Sequence, residues 1–382
     1  MASPKPTKVV IGFETTAGAD PTGGSLIPYH FTATEFGLTV NRGTKTDDVI
    51  GGDIDSGGEP YGTINTVNGA LTAPMYYEQF GLLLKMTMGV PVTAAAGTSW
   101  LATTAYLVDA IVQNTTNATL SMRVTVAGTS GATEPDISAS VVGDTVVDGT
   151  VTYVVTAKMY THTFNTTKCL PNAYAQATLA NACDGGSDLI ERYNGIKGGK
   201  LDISVSPDGD YNITMDTTGM SQRDSIVDSI TELDETNKVV LTQTRIKNAH
   251  ATITIDGTAY TLAKDFSLSL DRGVEATQTL GTGANAGQVD DTKVMLSGSL
   301  SSLFDGAVYT KAKNETAVGF VIGMTDGLNA LDLTVAEAKF GFKTESKKVG
   351  EVYPLNLEWT GYKTTGTEKL KAVLTNSIAN YN

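Results

Sequence analysis

The sequence is poor in cysteine and in long apolar runs. Its two cysteines among 382 residues, Cys169 and Cys183, are too few for a disulfide framework, and free buried thiols are favoured over a single bridge. No run reaches the roughly 18 consecutive apolar residues of a membrane-spanning helix. The first residues, MASPKPTKVVIGF, contain no long apolar segment, so we expect no secretory signal peptide and synthesis in the cytoplasm.

Charge, and positive charge in particular, is also scarce. Charged residues make up 18% of the chain, below the usual fraction of about a quarter. Lysine and arginine number 27 against 41 acidic residues, which gives a formal net charge of −14. Because an acidic chain repels phosphate groups, this balance argues against a nucleic-acid-binding module. Ordinary solubility is the simplest explanation of the negative charge.

The residues that are abundant indicate a protein made mainly of β-strands. The chain has 40 glycines, is rich in threonine and valine, and carries Gly, Asn and Asp clusters between its apolar runs. Such clusters are typical of turns between many short strands. The length exceeds that of one ordinary core and predicts two or three domains.

An internal repeat is the most informative feature of the sequence. Residues 35–43 (EFGLTVNRG) match residues 265–273 (DFSLSLDRG), and both alternate apolar and polar residues as half-buried strands do. Residues 67–71 match 296–300, and residues 213–220 match 355–362. The offset falls from 230 to 142 residues between the first and the last match, so the first copy contains 88 more residues than the second.

Part of this excess is an insertion. From about residue 97 to residue 157 the chain changes to short segments rich in Thr, Val and Ala, which predicts a small β domain inserted at an exposed loop. The predicted organisation has five parts: an N-terminal arm (1–28), a first module (29–96 and 158–220), the inserted domain (97–157), a linker with a possible helix (221–250), and a second module (251–382).

Each module is expected to contain one short helix. In the first, Pro74 suits the first helical turn, Gly89 suits the end, and one apolar face is formed by Tyr76, Phe80, Leu83 and Leu84. In the second, residues 303–313 occupy the matching place. A third helix is predicted over residues 221–235, because Ser221 and Asp224 have the spacing of a capping box and an apolar stripe follows them.

Several segments, taken in order, resemble the tail tube (major tail) protein family of tailed bacteriophages. They follow an N-terminal arm, a strand pair and a short helix, and comprise HTF at 162–164, LP at 170–171, ERYNGIK at 191–197 and a hairpin over 201–220. The resemblance implies a mainly β fold with two tandem tail-tube-type β-sandwich or barrel modules, each with a short helix, plus the inserted small β domain. It also implies a structural protein of the virion tail, with no enzymatic activity and no cofactor.

Rings stacked into a tube are what the family resemblance implies for assembly. Family rings contain six β-modules, so a chain with two modules is expected to form trimers with pseudo-sixfold symmetry around a channel for DNA. The expected partners are further copies of the chain, the tape measure, the tail terminator, baseplate or tail-tip proteins and possibly a sheath. Double-stranded DNA would pass without specific binding along channel-facing hairpins of net negative charge. The N-terminal arm and the loop 47–60 are expected to order on ring stacking.

The insertion resembles the small carbohydrate-binding-like β modules of phage virion proteins. The segments GTSGATEP at 128–135 and DGTVTY at 148–153 carry this resemblance, and Trp100, Tyr106 and Tyr153 are the candidate glycan contacts. Asp136-Ile137 stands where an aromatic residue is common, and Tyr153 stands where Trp is common. Packing is the alternative role for Trp100, Tyr106 and Tyr153. The alternative function is therefore a virion decoration or receptor- and glycan-binding protein that acts through this insertion.

No catalytic, cofactor or metal site is predicted. The three histidines, His30, His162 and His250, are scattered in strand-like settings and no nucleophile is marked. The acidic segment 53–59 lacks the full ligand spacing of a calcium loop, and the glycine-rich segment 281–287 is not followed by the helix that a phosphate loop needs. Turn-rich loops are the better interpretation of both.

Overall fold

The computed structural model describes residues 7–19, 27–46, 61–166, 169–179, 188–206, 211–230, 232–233, 239–247, 251–280, 283–342 and 354–381. Within these ranges the protein has 29 strands and two helices, so the prediction of a mainly β fold is confirmed. Several sequence-based predictions lie outside the described residues. These are the acidic segment 53–59 within the loop 47–60, His250, Cys183 and most of the linker between 231 and 238.

The first part of the chain forms the strands before and after the insertion and one helix. In chain order these are β1 (Thr7–Phe13), β2 (Tyr29–His30), β3 (Glu35–Phe36), β4 (Thr39–Lys45), β5 (Tyr61–Pro74), α1 (Tyr77–Met88) and β6 (Val92–Ala95). The insertion adds β7 (Thr98–Ser99), β8 (Ala105–Tyr106), β9 (Ile111–Gln113), β10 (Leu120–Val126), β11 (Gly128–Thr129), β12 (Thr145–Asp148) and β13 (Val151–Ala157).

The remaining elements complete both copies of the repeat. They are β14 (Tyr160–Asn165), β15 (Ala173–Leu179), β16 (Leu189–Val205), β17 (Asn212–Gly219), β18 (Ser221–Asp224), β19 (Val239–Val240), β20 (Ala251–Ile255), β21 (Thr258–Ala259), β22 (Ala263–Asp271), β23 (Val274–Thr277), β24 (Gln288–Asp291), β25 (Met295–Leu303), α2 (Gly306–Lys313), β26 (Val318–Thr325), β27 (Ala330–Gly341), β28 (Pro354–Gly361) and β29 (Lys371–Asn376).

Strand pairing reproduces the repeat seen in the sequence. In the first copy, Leu71 of β5 lies opposite Phe36 on one side and Met215 on the other. In the second copy, Leu300 of β25 lies opposite Phe266 and Leu357, which are the matching residues. These central pairings therefore keep the same register in both copies.

A glycine in the central strand of each copy is explained by a close backbone contact. A Cβ atom on Gly69 would lie 2.1 Å from the carbonyl oxygen of Gly37, and one on Gly298 would lie 2.0 Å from that of Ser267. Gly37 and Ser267 are themselves matching positions of the repeat. The neighbouring strand thus crosses β5 and β25 too closely for any side chain at these two positions.

Two long strands, β16 and β27, change partners along their length. The first half of β16 pairs with β15 and β18, and from Lys197 onward it pairs with β17, with a bulge between Gly198 and Lys200. Likewise, β27 pairs first with β26 and β29 and then with β28. A bulge increases local bending, which lets one strand pass from one layer to the next.

The two copies are joined by direct pairing of β16 with β22. Leu201 and Leu270 lie opposite each other at this joint and both are fully buried. A single hydrophobic cluster extends through both copies, from Val9 to Tyr381. The joint therefore makes one continuous sheet and one core out of the two halves.

Both predicted helices are present but begin later than expected. Pro74 ends β5, and α1 begins at Tyr77 and ends at Met88 before Gly89, whose φ of 93° suits a helix end. Every residue of α1 is buried rather than one face only. In the second copy, Leu303 belongs to β25, and α2 begins at Gly306 after the capping side chain of Asp305.

The prediction of an arm over residues 1–28 is wrong for Thr7–Phe13. These residues form β1, which pairs along its whole length with β15 and buries Val9, Val10 and Ile11. In the second copy, β20 pairs with β26 in the corresponding place. The apolar residues of VVIGF are buried on both faces of the strand, so this segment belongs to the core of the single chain.

The predicted helix over residues 221–235 is also wrong in its described part. Ser221–Asp224 forms β18, which pairs with Glu191–Asn194 of β16 as β29 pairs with β27. The Asp224 carboxylate accepts bonds from the amides of Ile226 and Val227, both 2.9 Å, and so begins a turn. Of the predicted apolar stripe, Ile226 and Val227 are 80% exposed whereas Ile230 is buried, so these residues do not share one buried face.

The insertion has a sheet and a hydrophobic cluster of its own. Five strands lie in the order β12-β13-β10-β9-β7, and the cluster is built around Val112, Met122, Val124 and Val155. The hairpin formed by β6 and β14 connects it to the main sheet. The exact division of the chain into modules stays a prediction, with this separate sheet as its support.

Candidate functional site: the polar face and the open edge of the sheet

One face of the continuous sheet is covered by small polar side chains. Along β17, β22, β25 and β28 the apolar residues alternate with Ser, Thr, Asn and Asp, whose side chains point away from the core. Neighbouring strands are linked across this face, for example by Ser267 Oγ and Ser299 Oγ at 2.8 Å and by Ser301 Oγ and Asn356 Oδ1 at 2.8 Å. Met295 and Leu303, at the two ends of β25, are exposed on the same side as these serines, and between them the surface is polar.

Charges on this face are predominantly negative around Lys200. Its ammonium group lies 2.7 Å from Asp202, and the charges of Asp216 and Asp271 are also close. The hydrogen bond to Asp202, followed by the attraction of these carboxylates, raises the pKa of Lys200. One lysine thus stands among three acids, which leaves this part of the face with a net negative charge.

The joint between the copies also contains a buried arginine. Arg272 follows β22, is only 2% exposed, and its guanidinium binds the carboxylate of Asp291 and the carbonyl oxygen of Thr166. Its backbone amide donates to the carbonyl oxygen of Gly199 at 2.7 Å. The matching residue of the first copy is Arg42, which is exposed.

Two further features mark where the sheet is incomplete within one chain. Strand β4 pairs with β5 on one side, and no described strand lies on its other side, although its counterpart β22 is paired on both sides. At the opposite end of the sheet, Phe342 follows β27 with 39% of its surface exposed. Its ring touches Tyr309 at a centroid distance of 5.3 Å.

The C-terminal segment locks α1 into the core. The hydroxyl of Tyr381 donates to the carbonyl oxygen of Glu78 at 2.7 Å, and the Lys85 ammonium donates to the carbonyl oxygen of Tyr381. Lys85 also lies over the ring of Phe13, 3.7 Å from its centroid. Burial lowers the pKa of Lys85 to about 8. Sequence patterns could not reveal these two contacts, because they join residues 296 and 303 positions apart.

The candidate glycan contacts lie in or against the core of the insertion. Tyr153 is fully buried and Tyr106 is 7% exposed, with their rings 6.2 Å apart. Trp100 is half-buried, packs on the same cluster, and donates from Nε1 to Asp148 at 2.8 Å. The structure thus brings the three together as packing residues. Contact with a glycan stays a prediction, and the burial of both tyrosines favours the packing role.

The remaining polar candidates stand apart from one another. His30 lies in β2, and His162 is buried in β14, where its ring nitrogens contact Thr93 Oγ1 and the Ile378 carbonyl oxygen, both at 2.8 Å. Cys169 is exposed and free rather than buried as expected. Among the described residues, no three His, Cys, Asp or Glu side chains are grouped to hold a metal ion. Neither of the two described helices has the length and apolar character needed to span a membrane.

Similarity to a known protein family extends over most of the chain. A comparison with curated proteins gave no match. A family model described as phage tail tube protein matches residues 7–361, which include β1, both copies of the repeat and the insertion. Because this match covers most of the chain, the protein belongs to the phage tail tube protein family, whose members are structural rather than enzymatic components of the virion tail.

Proposed function

We propose that three copies of this chain close into a ring with pseudo-sixfold symmetry, and that rings stack into the tube through which DNA passes. The observation that carries this proposal is the pairing of β16 with β22. That contact joins one copy of the repeat to the next within a single chain. If the same contact recurs between chains, six copies of the repeat form one closed sheet, and the exposed strand edges disappear.

The polar face is proposed to line the channel. Between the exposed Met295 and Leu303 its hydroxyl and amide groups present a polar surface. Its acids repel the phosphates of duplex DNA, which carries about one charge per 1.7 Å. The lysine surrounded by three acids near β16 supports this assignment. A wall of this composition would let DNA move along the channel without holding it.

We propose that the ring protein binds other tail components, because a tail tube needs them to function. A tube needs a tape measure to set its length, a terminator at one end and a baseplate or tail tip at the other, and a sheath can surround it. The exterior insertion is available for contact with such a neighbour. We place assembly of the ring in the host cytoplasm.

The mass of the soluble assembly tests the ring. A chain of 40.0 kDa predicts a species of about 120 kDa, three times the mass of one chain, in native mass spectrometry. Negative-stain images of the same sample should show rings or tubes with an open centre. A hexamer, or only discrete monomers at high concentration, would contradict the trimeric ring.

A receptor- or glycan-binding role for the insertion is the competing proposal. Burial of Tyr106 and Tyr153 removes the ring faces on which a sugar would stack, and only the half-buried Trp100 has exposed surface. Discrete particles in the images together with binding to a glycan array would support this role against the tube.

A further inference from the structure

We infer that the open edge of β4 pairs with the end of β27 from a second copy of the chain, with Asn41 opposite Gly341 and Val40 opposite Phe342. This inference rests on the proposed ring and specifies its register. It follows from the contact between β16 and β22, because the first two residue pairs of that contact have counterparts elsewhere in the same chain.

The match between residues 35–43 and 265–273 identifies which residues of β4 correspond to those of β22. Within the joint, Lys200 lies opposite Asp271 and Leu201 opposite Leu270. Leu270 pairs with Leu296 on its other side, as Val40 pairs with Val67. Val40 and Asn41 therefore occupy the positions of Leu270 and Asp271, but without a second strand beside them.

The counterparts on the β27 side are set through β17 and β28. Lys200 pairs with Asp216, and Gly341 pairs with Glu358. Asp216 and Glu358 occupy matching positions of the repeat, so Gly341 corresponds to Lys200. The next residue, Phe342, then corresponds to Leu201, which has no exposed surface in the joint.

Side chains in the contact between β16 and β22 are buried, whereas the side chains at the matching positions of β4 and β27 are more exposed. A missing neighbouring strand would produce this difference. Leu201 and Leu270 are fully buried, whereas Phe342 is 39% exposed and Val40 is only partly buried. Arg272 is buried beside the Gly199 carbonyl oxygen, whereas Arg42 is exposed, and no ion pair to it is found among the described residues. A second copy placed in this register would cover these side chains and turn both open edges into paired strands.

Charge does not oppose the contact. Asn41 replaces the acid of the matching pair and Gly341 replaces the lysine, so the opposing residues carry no like charges. Gly341 has room for a side chain, since an added Cβ would come no closer than 3.7 Å to the Glu358 carbonyl oxygen. Contacts of this head-to-tail kind close into a ring when the rotation between copies allows it.

Cysteine cross-linking tests the register directly. In a background with C169S and C183S, the double variant N41C/G341C should form disulfides between chains on mild oxidation, and closed trimers should appear in denaturing gels without reductant. Directly opposed residues of antiparallel strands lie about 4.5–5.5 Å apart, within the range of a disulfide. The variant T39C/G341C places the cysteines about 7–8 Å apart on the diagonal, so it should cross-link at least about tenfold less.

An internal control uses the joint that the structure already contains. The double variant K200C/D271C should form the same disulfide within one chain and leave the mass unchanged. Rings in which N41C/G341C does not cross-link, or in which T39C/G341C cross-links equally well, would overturn the register while leaving the ring intact. If neither rings nor cross-links form although K200C/D271C closes, the ring and the register both fail.

Discussion

At the scale of single residues, the buried ammonium group of Lys85 carries a charge that destabilises the folded state. It sits in the core against Phe13 and the Tyr381 carbonyl oxygen, with a pKa lowered by burial from 10.5 to about 8. Between these two values the unfolded chain binds more protons than the folded one. The free energy of unfolding therefore rises with pH across this window, and the penalty is complete below pH 8.

The substitution Lys85→Met should remove this pH dependence. From the shifted pKa, the native chain gains about 1 kcal/mol of stability between pH 7.5 and pH 9 relative to the variant. Urea unfolding of both proteins at the two pH values measures the difference, and comparison with the variant cancels the ionisation of tyrosines. A gap between the two proteins that stays constant with pH would show that Lys85 is not desolvated in the native state.

A second prediction at this scale concerns the glycines under the crossing strands. Gly298→Ala should destabilise the fold by more than about 2 kcal/mol, because the new methyl group would overlap the Ser267 carbonyl oxygen and the Trp359 ring. Gly306→Ala is the matched control, since an added Cβ there meets nothing within 4 Å and the residue begins a helix. Thermal unfolding compares the two, and equal effects would contradict the close contact.

The same residues show what the sequence could and could not predict. The repeat already placed Gly69 and Gly298 at matching positions, and the alternation of apolar residues identified the strands around them. Local sequence patterns could not reveal that a backbone carbonyl group of the neighbouring strand lies close to each glycine. Nor could they reveal that Arg42 and Arg272 differ in burial. Both facts depend on which strand lies beside them, and that is decided by pairing between distant segments.

At the scale of elements, the errors of sequence interpretation share one cause. The segments 7–13 and 221–224 are short and only weakly patterned, so local propensity suggested an arm and a helix. Each is a strand because β16 or β15 offers it a free edge, and a hydrogen-bonded edge outweighs weak local preference. The repeat contained the missing signal, since their counterparts β20 and β29 occupy the same places in the second copy.

The insertion should be separable from the main sheet. Its two ends are held together by the hairpin of β6 and β14, and the Ala96 amide donates to the Met159 carbonyl oxygen at 2.9 Å. Replacing residues 97–158 with a short Asn-Gly turn should therefore leave the main core folded, with a cooperative unfolding transition. Circular dichroism and sedimentation of the shortened chain check this, and an unfolded product would show that the insertion supports the main core.

At the scale of the whole molecule, the internal duplication bears both on the proposed ring and on the charge of the polar face. Each copy of the repeat contributes strands to a sheet that buries one face in the core and carries polar side chains on the other. Because Asp216 and Glu358 match, both copies place an acid at the same point of that face. A ring of three chains would therefore repeat this negative charge six times around the channel.

Reversing these charges should convert the channel into a surface that holds DNA. In tubes of D216K/E358K, each ring gains lysines at six matching positions, and short duplex DNA should be retained at low salt and protected from nuclease. Retention should fall steeply as salt rises, because each phosphate contact releases a counterion. The variant D136K/D144K, which changes the same number of charges on exposed positions of the insertion, should bind DNA without protecting it. Equal protection by both variants, or none by D216K/E358K in intact tubes, would mean that the polar face lies outside the channel.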